Sequence, residues 1–199
     1  MNKRRFLGAV FALGLTDREA TVGKVAESAG CDPRDTASTA DTLSQQGLVK
    51  RTRSGVSLTK KGRDAIKVVF IGGGFEIIHP GHIHTIESAK AMGDVLVVVV
   101  ARDSTIRRRK GRNPVTGESE RVKLLSSLRQ VDAAILGVEG DIYETLERVK
   151  PDLVALGYDQ HHSEPDIVRE ATKRGMNLEV VRLDTPRPAM KTSRILTET

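Results

Sequence analysis

Residues 68–84 read VVFIGGGFEIIHPGHIH, and this stretch decides the fold. Val68 to Ile71 predict a buried strand, and Gly72, Gly73 and Gly74 predict a three-glycine turn at its carboxyl end. His79 and His82 flank Pro80 and Gly81, where a helix is expected to begin. A glycine turn lets backbone N–H groups approach an anion closely, and a helix N-terminus adds unpaired donors and a favourable dipole. Histidines three residues apart share one side of a helical turn. The pattern therefore predicts a phosphate site with two imidazoles aimed into it. It fits neither the dinucleotide G-x-G-x-x-G register nor G-x-x-x-x-G-K-[ST], so those two phosphate loops do not apply.

Working outward toward the C-terminus, strands and helices alternate. The expected strands cover 67–71, 95–101, 131–136, 153–156 and 178–182, and the expected helices cover 81–92, 118–128, 142–149 and 164–173, with a short closing helix from 192. The run VLVVVVA after Asp94 is continuous and β-branched, as a sheet covered on both faces requires. The fold class read from this order is α/β: a Rossmann-like open parallel sheet with helices on both sides. Ligands in such folds gather at the carboxyl ends of the strands, where the glycine turn lies.

Four further stretches are expected to converge there. Asp103 follows the second strand of this region, and the segment 107–112 (RRRKGR) reads as a mobile cationic loop acting as a lid. Arg121, near the start of the next helix, is expected to point back into the site. Gly157, Tyr158, Asp159 and Gln160 follow the fourth strand and suit a base or ribose edge. Lys191, Thr192 and Ser193 open the closing helix with two hydroxyls, a second anion cradle opposite the histidines. Glu76 and Asp103 stand as single carboxylates without supporting spacing, so no protein metal site is expected.

Upstream, residues 1–66 have a different character. Three helices (3–14, one ending at Gly30, and one from Asp32-Pro33 to about Gln46), a short hairpin around Ser54-Gly55 and a closing helical turn describe a winged helix-turn-helix. Thr16 or Asp17 is the expected cap of the second helix. The basic start followed by FLGAVFALGL imitates a signal peptide, but no small-residue cleavage site follows, so a packed helix is expected. This part holds 12 Lys/Arg against 7 Asp/Glu, whereas residues 67–199 hold 20 against 19. Nearly all of the net charge of +6 therefore sits in the first third, which points to different partners for the two parts. If DNA is one of them, Arg34, Thr36 and Thr39 would face the major groove, and Arg51 and Arg53 would meet phosphates from the wing. Asp32, Asp35 and Asp41 on the same helix would be repelled by phosphates, so a docking or dimerisation role stands beside DNA binding.

The single cysteine, Cys31, excludes an internal disulfide framework and any cysteine metal cage. No apolar run is long enough to span a bilayer, and a cytoplasmic location is expected.

Gly73-Gly74-Phe75-Glu76 followed by His79-Pro80-Gly81-His82 resembles the G-[TS]-F-D-x-x-H-x-G-H signature of nucleotidyltransferases, with Gly74 in place of Thr/Ser and Glu76 in place of Asp. Lys191-Thr192-Ser193-Arg194-Ile195 resembles the closing signature of the cytidylyltransferase-like branch. Within that branch, VARDSTIRRRKGRNPV, ERVKLLSSLRQVDAAILG and KPDLVALGYDQ look most like the archaeal FAD synthetases, which are FMN adenylyltransferases. Residues 43–66 resemble winged-helix regulators.

The resemblance implies two domains, 1–66 and 67–199, and transfer of AMP from ATP to FMN with release of pyrophosphate. It implies His79, His82, Lys110 and Arg121 as catalytic residues. Gly73, Gly74, Phe75, Asp103, Tyr158, Asp159, Lys191, Thr192 and Ser193 would bind nucleotide, with Mg²⁺ carried by the phosphates. A homodimer is expected. The alternatives are a CTP-dependent cytidylyltransferase acting on glycerol 3-phosphate or another phosphorylated alcohol, and a DNA-binding regulator that senses a nucleotide. The glycerol-phosphate enzymes usually carry a tryptophan where this chain has Gln160.

Overall fold

The computed structural model describes residues 1–16, 18–52 and 55–184. The chain divides into two compact units, Met1–Lys67 and Val68–Thr199. Arg53, Lys191, Thr192 and Ser193 lie outside the described residues, as do Asp17 and the expected closing helix.

In the first unit, α1 (Lys3–Leu15) buries Phe6, Leu7, Val10 and Leu13, so its apolar sequence is core. Thr16 does not cap the next helix: its Oγ1 donates back to Ala12 O at 3.1 Å and closes α1. The cap of α2 (Val22–Ala29) is Thr21, which accepts from Lys24 N, and Gly30 ends the helix in the left-handed region at φ 58°. Asp32 caps α3 (Pro33–Gln45), accepting from Arg34 N at 2.8 Å, with Pro33 in the first turn where its missing N–H costs nothing. Strands β1 (Val49–Arg51) and β2 (Val56–Leu58) pair antiparallel, Val49 opposite Leu58, and α4 (Lys60–Arg63) follows. Gly62 is compelled by packing, since a Cβ there would lie 1.9 Å from Leu48 O.

This unit alters the reading of the third helix. Thr36 is fully buried and its Oγ1 donates to Asp32 O, so it presents nothing to a groove. Thr39 Oγ1 bonds Asp35 O at 2.7 Å. Arg34 is exposed, and Arg51 lies 3.6 Å from Asp41.

The second unit is a five-stranded parallel sheet in the order β5-β4-β3-β6-β7. Its strands are β3 (Val68–Gly73), β4 (Val95–Val100), β5 (Ala133–Leu136), β6 (Leu153–Leu156) and β7 (Glu179–Arg182). All six residues of β4 are buried, which explains the unbroken valine run. Helices α5 (Pro80–Lys90) and α7 (Glu118–Ser126) join the core through Ile86 and Leu125, against Val69, Ile71, Leu96, Val98 and Val100. Leu146 and Val149 of α8 (Ile142–Val149) and Ile167 and Ala171 of α9 (Glu164–Lys173) are buried as well. Two aspartates fix where the central strands begin: Asp152 accepts from Val68 N at 2.6 Å, and Asp132 from Leu96 N at 2.6 Å.

Strand order reverses direction at β3, with β4 on one side and β6 on the other. The crevice at the carboxyl ends of β3 and β6 is the topological switch point, where open α/β sheets bind ligands.

Two expectations fail locally. Gly72 and Gly73 are not turn residues: β3 continues through them in register with Val99 and Val100. The residue that takes the left-handed turn is Phe75, at φ 49°. The basic segment is not a loop either. Residues Asp103–Lys110 form α6, ended by Gly111 at φ 66°, because its arginines and lysine are good helix formers and its last-turn cations complement the helix dipole.

Candidate active site

A cleft of about 830 Å³ opens at the switch point. Its floor is Ile71 to Glu76 at the end of β3, and one wall is the start of α5, with His79, Gly81, His82 and Thr85. Gly157, Tyr158, Asp159, Gln160 and His161, after β6, form the opposite side, and Lys110 reaches in from the end of α6.

His79 is the N-cap of α5 but makes no side-chain cap bond. Its ring stacks on His82 with centroids 3.9 Å apart and planes at 28°. Phe75, only 5 % exposed, stands behind them with its ring 5.2 Å from that of His82. It therefore backs the imidazole and offers no open stacking face, which leaves Tyr158, half-buried, as the other aromatic expected at this edge. Both Nδ1 atoms are buried without a hydrogen-bond partner. A buried polar atom left unpaired is costly and calls for an explanation, and both rings line the cleft.

Burial pushes both imidazoles below their ordinary value. His82 falls to about 4, with His79 adding to the effect, while a backbone hydrogen bond with Ile77 at His82 and the Asp159 charge at both rings pull the other way. The free protein thus holds two neutral imidazoles near neutral pH. An anion in the cleft would favour their protonated forms.

The glycine segment is fixed from three directions through its carbonyls. Gln160 Nε2 donates to Gly72 O at 2.6 Å, Ala101 N to Gly73 O at 2.9 Å, and Arg121 to Gly74 O at 2.5 Å. Gly73 must be glycine, because a Cβ would lie 2.9 Å from the Phe75 ring.

Arg121 does not point into the cleft, as the sequence suggested. It is 1 % exposed, and its guanidinium is used up on Gly74 O, Thr116 O and Asp103 Oδ1. A buried cation needs such partners, and they lie beneath the glycine segment. Asp103 is correspondingly committed to Arg121 and starts α6. Both residues hold the site's frame from behind. Glu118 continues this network, accepting from Asp103 N at 2.8 Å and Arg102 at 2.9 Å; those bonds hold its carboxyl below the ordinary value against the opposing effect of burial.

Two contributors escaped the sequence reading. Glu76, taken as an isolated carboxylate, has a fully shielded side chain gripped by Lys110 at 2.5 Å, Arg112 at 2.7 Å and Val115 N at 3.3 Å. Burial alone would raise its pKa, but the bonds from Arg112 and Lys110 bring it down to about 2. Its signal was a carboxylate amid Phe75, Ile77 and Ile78, where only a cation partner makes burial tolerable. Arg182, on the last strand, donates to the carbonyls of Gly157, Gln160 and His162 and so fixes the loop after β6. Gln160, expected from the sequence at a base or ribose edge, lines the cleft but spends its amide on Gly72 O.

Of the nucleotide-site residues read from sequence, Gly73, Gly74, Phe75, His79, His82, Lys110, Tyr158 and Asp159 meet in the cleft. Asp103 and Arg121 stand behind it. Among the described residues, no group of three or more His, Cys, Asp or Glu is arranged to hold a metal ion, and no helix is long and apolar enough to cross a membrane.

Comparison with known proteins agrees with this geometry. The cytidylyltransferase-like family model matches residues 70–198. The FAD synthase of Pyrococcus horikoshii is 41% identical over 138 residues, 68% of this chain and 93% of that protein. The FAD synthase of Archaeoglobus profundus is 49% identical over 111 residues, 56% of this chain and 70% of that one. A crystal structure from Thermoplasma volcanium, described as a lipopolysaccharide core biosynthesis protein, aligns with a TM-score of 0.59 at 45% identity, covering 60% of this chain and 98% of the other. Pantoate-beta-alanine ligase from Francisella tularensis, at 19% identity and a TM-score of 0.50 over 72% of this chain and 68% of that one, shares the fold.

Proposed function

The chain belongs to the cytidylyltransferase-like family, and from that premise we propose that it is an FMN adenylyltransferase, making FAD and pyrophosphate from ATP and FMN. The observation that carries the reading is the stacked His79–His82 pair, with its two unpartnered Nδ1 atoms, in the cleft of a protein 41% identical to an FAD synthase over 93% of that relative's length.

In this reaction an oxygen of the FMN phosphate attacks the α-phosphorus of ATP. The bond from that phosphorus to the β-phosphate bridging oxygen breaks, and pyrophosphate leaves with the electron pair. The acceptor is already an anion, so no strong base is required. Alignment and charge stabilisation do the catalysis. His79 and His82 donate to the α-phosphate and leaving-group oxygens, and Gly73 and Gly74 let the phosphates approach the backbone closely. Lys110 neutralises triphosphate charge. Tyr158 and Asp159 face the base and ribose or the flavin, and Lys191, Thr192 and Ser193 hold the outer phosphates. The nucleotide enters as its Mg²⁺ complex, with the ion on phosphate oxygens.

Residues 1–67 lie wholly outside the family match. Their helices and β-ribbon suit a winged helix-turn-helix, with Arg34, Arg51 and Arg53 as its candidate DNA contacts and a homodimer as the alternative use of its surface. Fluorescence anisotropy with genomic DNA fragments tests the first use: binding that weakens steeply with salt supports it, and no binding at low salt removes it.

The enzymatic reading is tested by mixing the protein with ATP, Mg²⁺ and FMN and weighing the products. FAD and pyrophosphate in equal amounts support it. Absence of FAD overturns it.

A further inference from the structure

Glu76 is served by two cations where one would neutralise it. Arg112 Nη1 donates to Oε2 at 2.7 Å and Nη2 to Oε1 at 3.2 Å, so the guanidinium spans both oxygens, and Val115 N adds a bond to Oε2. Lys110 Nζ shares Oε1 at 2.5 Å. The carboxylate itself is wholly shielded, while the side chains of Lys110 and Arg112 are 42% and 37% exposed.

The two cations differ in place and in kind. Lys110 lines the cleft with His79 and His82, whereas Arg112 does not line it and has a further bond to Asn113 O. Lysine is a compact charge on a flexible stem, and arginine is a rigid fork matched to both carboxylate oxygens. If Lys110 leaves, Glu76 keeps a bidentate, charge-matched partner. If Arg112 is removed, Lys110 becomes the sole cation of a buried carboxylate, and an unpaired buried charge is strongly unfavourable.

We infer that Arg112 is a positioning residue: by neutralising Glu76 it frees Lys110 to pass from that carboxylate to the triphosphate of the incoming nucleotide. This inference rests on the reading that the cleft takes ATP. It separates two residues of one basic run, RRRKGR, into a cation that moves and a cation that holds its place for it.

The test is calorimetric titration of the intact protein with α,β-methylene-ATP, which binds without reacting. Lys110→Ala should weaken binding roughly tenfold, the scale for one charge-assisted hydrogen bond. Arg112→Ala should weaken it to a similar degree, and the two changes together should add little, because both remove the same lysine from the nucleotide. Glu76→Gln placed on Arg112→Ala should restore affinity to within about threefold of the unmodified protein, since a neutral amide no longer holds Lys110. A direct contact between Arg112 and nucleotide would not be rescued in this way, and a merely structural role would lower the melting temperature of Arg112→Ala together with its affinity. Arg112→Lys keeps one cation on Glu76 and should bind like the unmodified protein, which guards against misfolding of the alanine variant. Unchanged affinity in Arg112→Ala, full additivity with Lys110→Ala, or no rescue by Glu76→Gln would overturn the inference. Unchanged affinity in Lys110→Ala would instead overturn the placement of the triphosphate beside that lysine, and the inference with it.

Discussion

The imidazoles of His79 and His82 stack with centroids 3.9 Å apart, each with a buried Nδ1 that no protein atom satisfies. Unpaired buried nitrogens contribute nothing to the fold, and both rings line the cleft at the helix N-terminus, where an anion is favoured. The pair is supported from behind by Phe75 and lies against a glycine segment whose three carbonyls are tied to Gln160, Ala101 and Arg121. Such a frame holds both rings in place, as the proposed reaction requires of its donors.

In the proposed reaction, replacing His82 with alanine removes one donor to the transferring phosphate. The turnover number should fall about a hundredfold, the scale for losing an oxyanion-type donor, while a cooperative thermal melt shows that the variant is still folded. Steady-state FAD formation and a thermal melt check both halves. Near-normal turnover contradicts the role given to the pair.

The His82 pKa of about 4 has a defined sign of effect on stability. Unfolded, the imidazole titrates at about 6.5, so between those two values the unfolded chain binds a proton that the folded chain does not. Folding stability contributed by this group is therefore fully present above 6.5, falls as pH drops through the window, and is lost below about 4. A bound triphosphate should raise the folded pKa and reverse this, so that nucleotide binding near pH ~5.5 takes up protons. Calorimetry of α,β-methylene-ATP in buffers of different ionisation heat measures the uptake. The same uptake in His82→Ala would assign the proton elsewhere.

Arg121→Met tests the frame. The change leaves Gly74 O and Thr116 O without their donor and Asp103 without its cation. Breaking a buried pair of this kind costs roughly 3–5 kcal/mol. Urea denaturation should show a loss of that order. Full stability with turnover abolished would return Arg121 to direct contact with substrate.

A fragment of residues 68–199 carries every residue placed in the transfer reaction. It should fold and convert ATP and FMN at a rate close to that of the whole chain. A folded but inert fragment would mean that residues 1–67 complete the site.

The β-α alternation was legible because its causes are local. The valine run of β4 could only be a covered strand, and helices 142–149 and 164–173 carry their caps, Asp141 and Ser163, in sequence. The histidine pair was legible for the same reason: three residues on one turn must meet. What sequence left obscure was whatever depends on partners far along the chain. Arg121 looked like a free cation because Gly74 lies 47 residues away and Asp103 lies 18 away. Glu76 looked isolated because Lys110 and Arg112 reach it only after α6 has formed. Thr36 looked like a groove contact, but the helix's apolar face is sparse, and the threonine is drafted into the core with its hydroxyl returned to Asp32 O.

The most direct measurement is a competition in one vessel. The protein, Mg²⁺, ATP, CTP, FMN and glycerol 3-phosphate are incubated together, and the products are separated and identified by mass. FAD as the dominant product, with pyrophosphate in equal amount, is the predicted result. Cytidylylated glycerol phosphate in place of FAD, or a cytidylylated flavin, would contradict the account.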